Sequence, residues 1–254
     1  MKISEKNEFQ KFRGTVFALE SANVVGYQDK EVADGFKLVG SIFADVANTE
    51  DAIAINSIKP TGYEANEELI DAGGTWGDMQ IILLDQAGGN DASYDWEQEY
   101  DGEWLEGAWV GADGETLAPG QGIWYYCNVY TEGMGLQFAG EVLVDARDIP
   151  LKDGFAAISI PLGRPVELSE IIPAGYEANE ELIDAGGTWG DMQIVVLDQN
   201  GGNDASFDWE QEYDEEWGEG AWVGEHTFQP GDAIWAYCNV WEEGCKLTFP
   251  GLED

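Results

Sequence analysis

Along much of this chain apolar and polar residues alternate with a period of two. In Tyr94–Asp101, Tyr94, Trp96, Gln98 and Tyr100 fall on one side, and Asp95, Glu97, Glu99 and Asp101 on the other. Successive side chains of a strand point to opposite faces, so the run predicts a half-buried strand with an aromatic inner face and an acidic outer one. Ile123–Tyr130 is aromatic or aliphatic at nearly every position, which predicts a strand covered on both sides. Turn residues collect between such runs, at Ala87–Asp91, Ala118–Gln121 and Thr131–Gly133. Glu68–Ala72 has room for one helical turn, but no segment keeps a 3.6-residue period long enough for a full helix. The pattern predicts an all-β protein, with β-sandwich and small β-barrel both open.

The same pattern is written twice. GYEANEELIDAGGTWGDMQI at 62–81 recurs letter for letter at 175–194, an offset of 113. The match runs on to Val110 and Val223, broken only at Ile82/Val195, Leu83/Val196, Ala87/Asn200, Tyr94/Phe207, Gly102/Glu215 and Leu105/Gly218. After a two-residue deletion GIWYYCNVYTEG answers AIWAYCNVWEEG. Surface-type positions match as closely as core-type ones. A recent duplication explains this, and so does use of one surface by both copies.

The N-terminal segment echoes the end of a repeat. FALE at Phe17–Glu20 is like FAGE at Phe138–Glu141, and each is followed by Asp-Gly-Phe, at Asp34–Phe36 and Asp153–Phe155. The chain therefore divides into an N-terminal strand segment at 1–33, a first β domain at 34–142 and a second at 143–254. The leading strand has two readings. It completes the first domain, or it adds to an open sheet edge of the next molecule and builds a head-to-tail polymer, with Val16, Phe17, Ala18, Val24 and Val25 as the exchanged strand.

Charge changes the picture of partners. There are 51 Asp and Glu against 11 Lys and Arg, a net charge of −40 over 254 residues. Such a surface repels nucleic acid and anionic membranes, and it attracts divalent cations. The hydrophobic fraction of 44% and the eleven Trp indicate a folded protein despite that charge. Adaptation to high salt and dependence on calcium fit the acidity equally. No stretch reaches the length of a membrane span, and the N-terminus lacks the continuous apolar core of a signal peptide.

Candidate chemistry follows from residue types. The single histidine, His226, lies where the repeats diverge and is expected to be a solvated loop residue, not a general base. No GxSxG, HExxH or phosphate-binding loop is present, so no catalytic residues are assigned. Asp85, Asn90, Asp91 and Asp95, and their copies Asp198, Asn203, Asp204 and Asp208, place oxygen ligands around a glycine-rich turn, the donor type that calcium takes. The competing reading is an acidic stripe facing water. Trp104, Trp109, Trp217 and Trp222 fall in Gly- and Glu-rich stretches and are candidates for stacking on a polysaccharide; filling the cores of small domains is the alternative. Trp96, Trp124, Trp209 and Trp235 sit in strand patterns and read as core. Cys127 and Cys238 occupy equivalent strand positions and read as buried thiols. A Cys238–Cys245 bridge across one hairpin is left open.

SANVVGYQDKEV at Ser21–Val32, DGFKLVG at Asp34–Gly40, LAPGQGIW at Leu117–Trp124 and LQFAGEV at Leu136–Val142 are similar to β-rich modules of uncharacterised bacterial secreted and cell-surface proteins. The resemblance implies an exported β protein and carries no catalytic residues. Taken with the tandem repeat, the reading is a non-enzymatic extracellular or cell-surface protein. Its leading form is a subunit that polymerises with itself, with calcium or salt offsetting the charge. Its alternative is a tandem carbohydrate-binding module.

Overall fold

The computed structural model describes residues 25–44, 52–62, 75–76, 79–84, 90–99, 106–128, 132–176, 188–197, 202–214, 216–239 and 243–252. The fold is all-β, its small sheets set in a four-bladed, propeller-like arrangement. The longer strands are β1 (Val25–Glu31), β2 (Gly35–Gly40), β3 (Met79–Leu84), β4 (Asn90–Glu99), β5 (Gly122–Cys127) and β6 (Gly135–Val142), then β7 (Arg147–Pro150), β8 (Gly154–Ser159), β9 (Thr188–Leu197), β10 (Asn203–Asp214), β11 (Ala233–Cys238) and β12 (Lys246–Phe249). The only helical pieces among the described residues are single 3₁₀ turns at Ile55–Ser57 and Leu168–Glu170.

Each repeat builds a larger and a smaller antiparallel sheet and a two-stranded pair, Ile53–Ala54 with Thr116–Leu117 in the first and Val166–Glu167 with Thr227–Phe228 in the second. The larger sheets run β2-β5-β3-β4 and β8-β11-β9-β10, and short strands add to β4 and β10. The smaller ones centre on β6, flanked by β1 on one side and by Phe43–Ala44 and Lys59–Thr61, and on β12, flanked by β7 and Ile172–Ala174. β1 pairs with β6 from Val25↔Glu141 to Glu31↔Gly135, so Val25 is engaged within its own chain. Along this stretch β1 lies in the smaller sheet of the first repeat. Val16, Phe17, Ala18 and Val24 lie outside the described residues.

Alternation on these strands fills two clusters of buried side chains, one per repeat. Ile123, Tyr125 and Cys127 of β5 face the first with Ile81, Tyr94 and Trp96, and Ile234, Ala236 and Cys238 of β11 face the second with Ile194, Phe207 and Trp209. The expected half-buried strand is found, with Tyr94 and Trp96 inside and Asp95 and Glu97 exposed. The turn expected at Ala118–Gln121 is present as well. Gln121 N–H donates to Ala118 O at 3.0 Å, and Gly120 takes φ +81°, a conformation open to glycine without a Cβ penalty. Cys238 and Cys245 hold their sulfurs 3.8 Å apart as buried thiols, beyond the roughly 2.05 Å of a bonded pair.

The repeats meet through reciprocal contacts. Gly40 N–H donates to Gly231 O at 3.2 Å, and Ser159, the counterpart of Gly40, donates from its N–H to Gly120 O at 2.9 Å, the counterpart of Gly231. Each repeat therefore offers the same surface to the other, as in a two-fold dimer. Such a junction closes on itself and does not propagate. Close approach requires small residues: a Cβ on Gly40 would lie 2.9 Å from Ser159 Cα and nearer still to its side chain. Ser159 is fully buried there, and its hydroxyl donates to Ser41 O at 2.9 Å.

Candidate functional site

The faces of β2, β5, β8 and β11 turned away from the two cores carry an unusual set of side chains. Cross-strand register puts Phe36 opposite Tyr126, Tyr126 opposite Gln80, and Gln80 opposite Asp95. The second repeat sets Phe155, Tyr237, Gln193 and Asp208 in the same row. Neighbouring strands lie about 4.8 Å apart, so each row runs from two aromatic rings through an amide to a carboxylate within four strands. The amide and the acid are locked together. Gln80 Nε2 donates to Asp95 Oδ1 at 2.8 Å, and Gln193 Nε2 donates to Asp208 Oδ1 at 2.8 Å.

Beside each row stands one tryptophan, and the two tryptophans join the halves. Ring centroids form an unbroken series: Tyr126–Phe36 at 4.7 Å, Phe36–Trp124 at 6.0 Å, Trp124–Trp235 at 6.0 Å, Trp235–Phe155 at 5.7 Å and Phe155–Tyr237 at 4.7 Å. The series reads the same from either end, as the reciprocal junction requires. Phe36 is 46% exposed and Phe155 41%, far above the level of core phenylalanines such as Phe138. Trp124, Tyr126, Trp235 and Tyr237 are half-buried. The expectation that Ile123–Tyr130 is covered on both sides is corrected on this point. Over the described part, Ile123, Tyr125 and Cys127 are fully buried, whereas Trp124 and Tyr126 belong to the aromatic strip.

This strip has the chemistry of a binding surface. Ring faces attract C–H groups and other rings, while a fixed amide–carboxylate pair donates to and accepts from hydroxyls at the rim. Exposed carboxylates Asp95, Glu97, Asp208 and Glu210 flank it on the outer strands, so an anionic ligand is disfavoured.

The residues singled out in the sequence fare differently. Trp109 and Trp222 are core rings, 1% and 8% exposed, and not platform residues. Their indole N–H groups donate to Ile58 O at 2.7 Å and Ile171 O at 2.6 Å, and their rings meet Trp96 and Trp209 at centroid distances of 5.0 and 5.2 Å. Each sits in a two-residue strand on the edge of β4 or β10, too short to show a period in sequence. Trp104 lies outside the described residues. Trp217 is placed in the short strand Glu216–Trp217, and its side chain lies outside the description. Of the calcium candidates, Asp91, Asp95, Asp204 and Asp208 are exposed residues of β4 and β10, and Asn90 and Asn203 begin those strands. Asp85 and Asp198 lie outside the described residues. Among the described residues no three His, Cys, Asp or Glu side chains come together as a metal-binding group. His226 packs against Phe207 and Phe228, with centroids at 5.5 and 4.5 Å, and is half-buried instead of fully solvated.

The strip was missed in sequence because Trp124 and Tyr126 alternate with apolar residues of nearly equal hydrophobicity. The available signal was Gln80 and Gln193, each the lone polar residue of the stretch MQIILL at 79–84 or its copy MQIVVL at 192–197. Among the described residues no helix is long and apolar enough to cross a membrane. No family model, no curated protein and no solved structure matches the chain.

Proposed function

We propose that this chain is a non-enzymatic, extracellular glycan-binding protein, each repeat acting as one small β domain that contributes half of the aromatic strip. The observation that carries this reading is the duplicated row: Phe36, Tyr126, Gln80 and Asp95 in one repeat, Phe155, Tyr237, Gln193 and Asp208 in the other. A pyranose with equatorial substituents presents axial C–H groups to a ring face and a band of hydroxyls at its edge. The rings serve the first and the amide–carboxylate pair the second. The ligand is neutral, because the acidic flanks oppose uronic or sulfated sugars. The class is a β-1,4-linked neutral glycan, whose flat ribbon matches a surface made on sheet faces. The polymerising subunit is the weaker reading, since β1 is paired along seven residues at home and the junction between repeats is closed.

Native gel electrophoresis through hydroxyethylcellulose tests the proposal. The wild-type protein is expected to be retarded relative to its migration in a plain gel. Tyr126→Ala plus Tyr237→Ala is expected to lose the retardation while keeping the thermal midpoint within a few degrees, as these side chains are half-exposed. Equal mobility of wild type with and without the polymer sinks the reading.

A further inference from the structure

Resting on that glycan reading, we infer that the protein cross-links two glycan chains, one on each row, and does not lie along a single chain. The contacts Gly40–Gly231 and Ser159–Gly120 exchange the two repeats, and the ring series from Tyr126 to Tyr237 is palindromic about the Trp124–Trp235 contact. The two rows are therefore related by a two-fold rotation. A glycan chain has a reducing and a non-reducing end and no two-fold axis of its own. A single chain crossing the junction would meet its second row backwards, with hydroxyls displaced from the amide–carboxylate pair that served them on the first.

The rows are also chemically complete by themselves. Each has two rings in contact at 4.7 Å and its own amide–carboxylate hydrogen bond at 2.8 Å. Neither needs a residue from the other repeat. The duplicated surface was open to two explanations in the sequence, recent duplication and shared use. Two complete sites facing two separate chains give the shared use a content: bivalent bridging, with avidity toward a polymer that neither site has alone.

Isothermal titration with cellohexaose, on the full chain, tests this. The expected stoichiometry is two hexamers per chain for wild type and one for Asp95→Ala and for Asp208→Ala, both exposed positions whose substitution leaves the core untouched. Wild type is further expected to raise the viscosity of a hydroxyethylcellulose solution, with either single variant failing to do so. One hexamer per chain for wild type, lost in both single variants, overturns the cross-linking inference and leaves glycan binding standing. No heat and no binding of cellohexaose by wild type removes the glycan reading itself.

Discussion

The two halves of the junction between repeats share a backbone and differ in chemistry. On one side Gln28 and Lys30 of β1 reach across to the second repeat: Gln28 Nε2 donates to Pro230 O at 2.7 Å, and Lys30 Nζ meets both Pro230 O and Asp232 Oδ1 at 3.0 Å. On the other side Ile149 of β7, the counterpart of Lys30, lies buried against Gly120 of the first repeat. A lysine–aspartate clasp and an isoleucine contact thus occupy equivalent places. What the two sides hold in common is the glycine- and serine-lined approach of the backbones. Symmetry here resides in the main chain, and side chains at its margins were free to diverge.

The largest effect is expected on the apolar side. Ile149→Ala removes a buried branched side chain from both the second core and the junction, and should cost about 2–4 kcal/mol of unfolding free energy. Urea denaturation measures it, and a loss under about 1 kcal/mol would show that Ile149 does not hold the junction. A smaller difference between the repeats is expected in acid. Hydrogen bonds from Lys246 and Thr248 hold Asp148 below the ordinary carboxylate range, and hydrogen bonds from Arg164 do the same for Glu170. The first repeat has neutral partners at the matching places, Gln137 donating to Asp29 and the Ser57 hydroxyl to Ala54 O. A carboxyl with a depressed folded pKa contributes stability at neutral pH, and the contribution drains away as the pH falls from its ordinary value, about 4, toward the folded one. Wild type should therefore lose more of its urea midpoint between pH 7 and pH 3 than Asp148→Asn plus Glu170→Gln does. An equal loss in both would show that these pairs carry no pH linkage. The smallest effect is on the polar side of the junction. Lys30→Met should change stability by about 1 kcal/mol or less, because Asp232 is still 38% exposed and water competes for the pair. A loss as large as that of Ile149→Ala would reverse the comparison.

Sequence and structure agree where the physics is local. Period-two alternation located Tyr94 and Trp96 inside and Asp95 and Glu97 outside, because a strand's faces are fixed by its own pleat. The aromatic strip and the junction were not legible for the opposite reason. Trp124 and Trp235 meet over more than a hundred residues, and nothing in either neighbourhood reports a partner so far along the chain. Trp109 and Trp222 illustrate a further limit. Gly- and Glu-rich flanks suggest a loop, whereas burial is decided by a two-residue strand and one indole hydrogen bond. Among the candidate site residues, Asp95 and Asp208 do stand in the site, but as hydrogen-bond acceptors of Gln80 and Gln193 beside rings.

The near-identity of the two copies also bears on how the chain finds its fold. β2 must choose β5 over β11, yet Gly-Ile-Trp-Tyr-Tyr-Cys and Ala-Ile-Trp-Ala-Tyr-Cys offer it almost the same edge. Closing the longer wrong loop instead of the right one adds only about 0.6 kcal/mol per doubling of length, so the tether discriminates weakly. Pairing between the copies is therefore expected to compete with native pairing during refolding, the characteristic hazard of near-identical repeats in one chain.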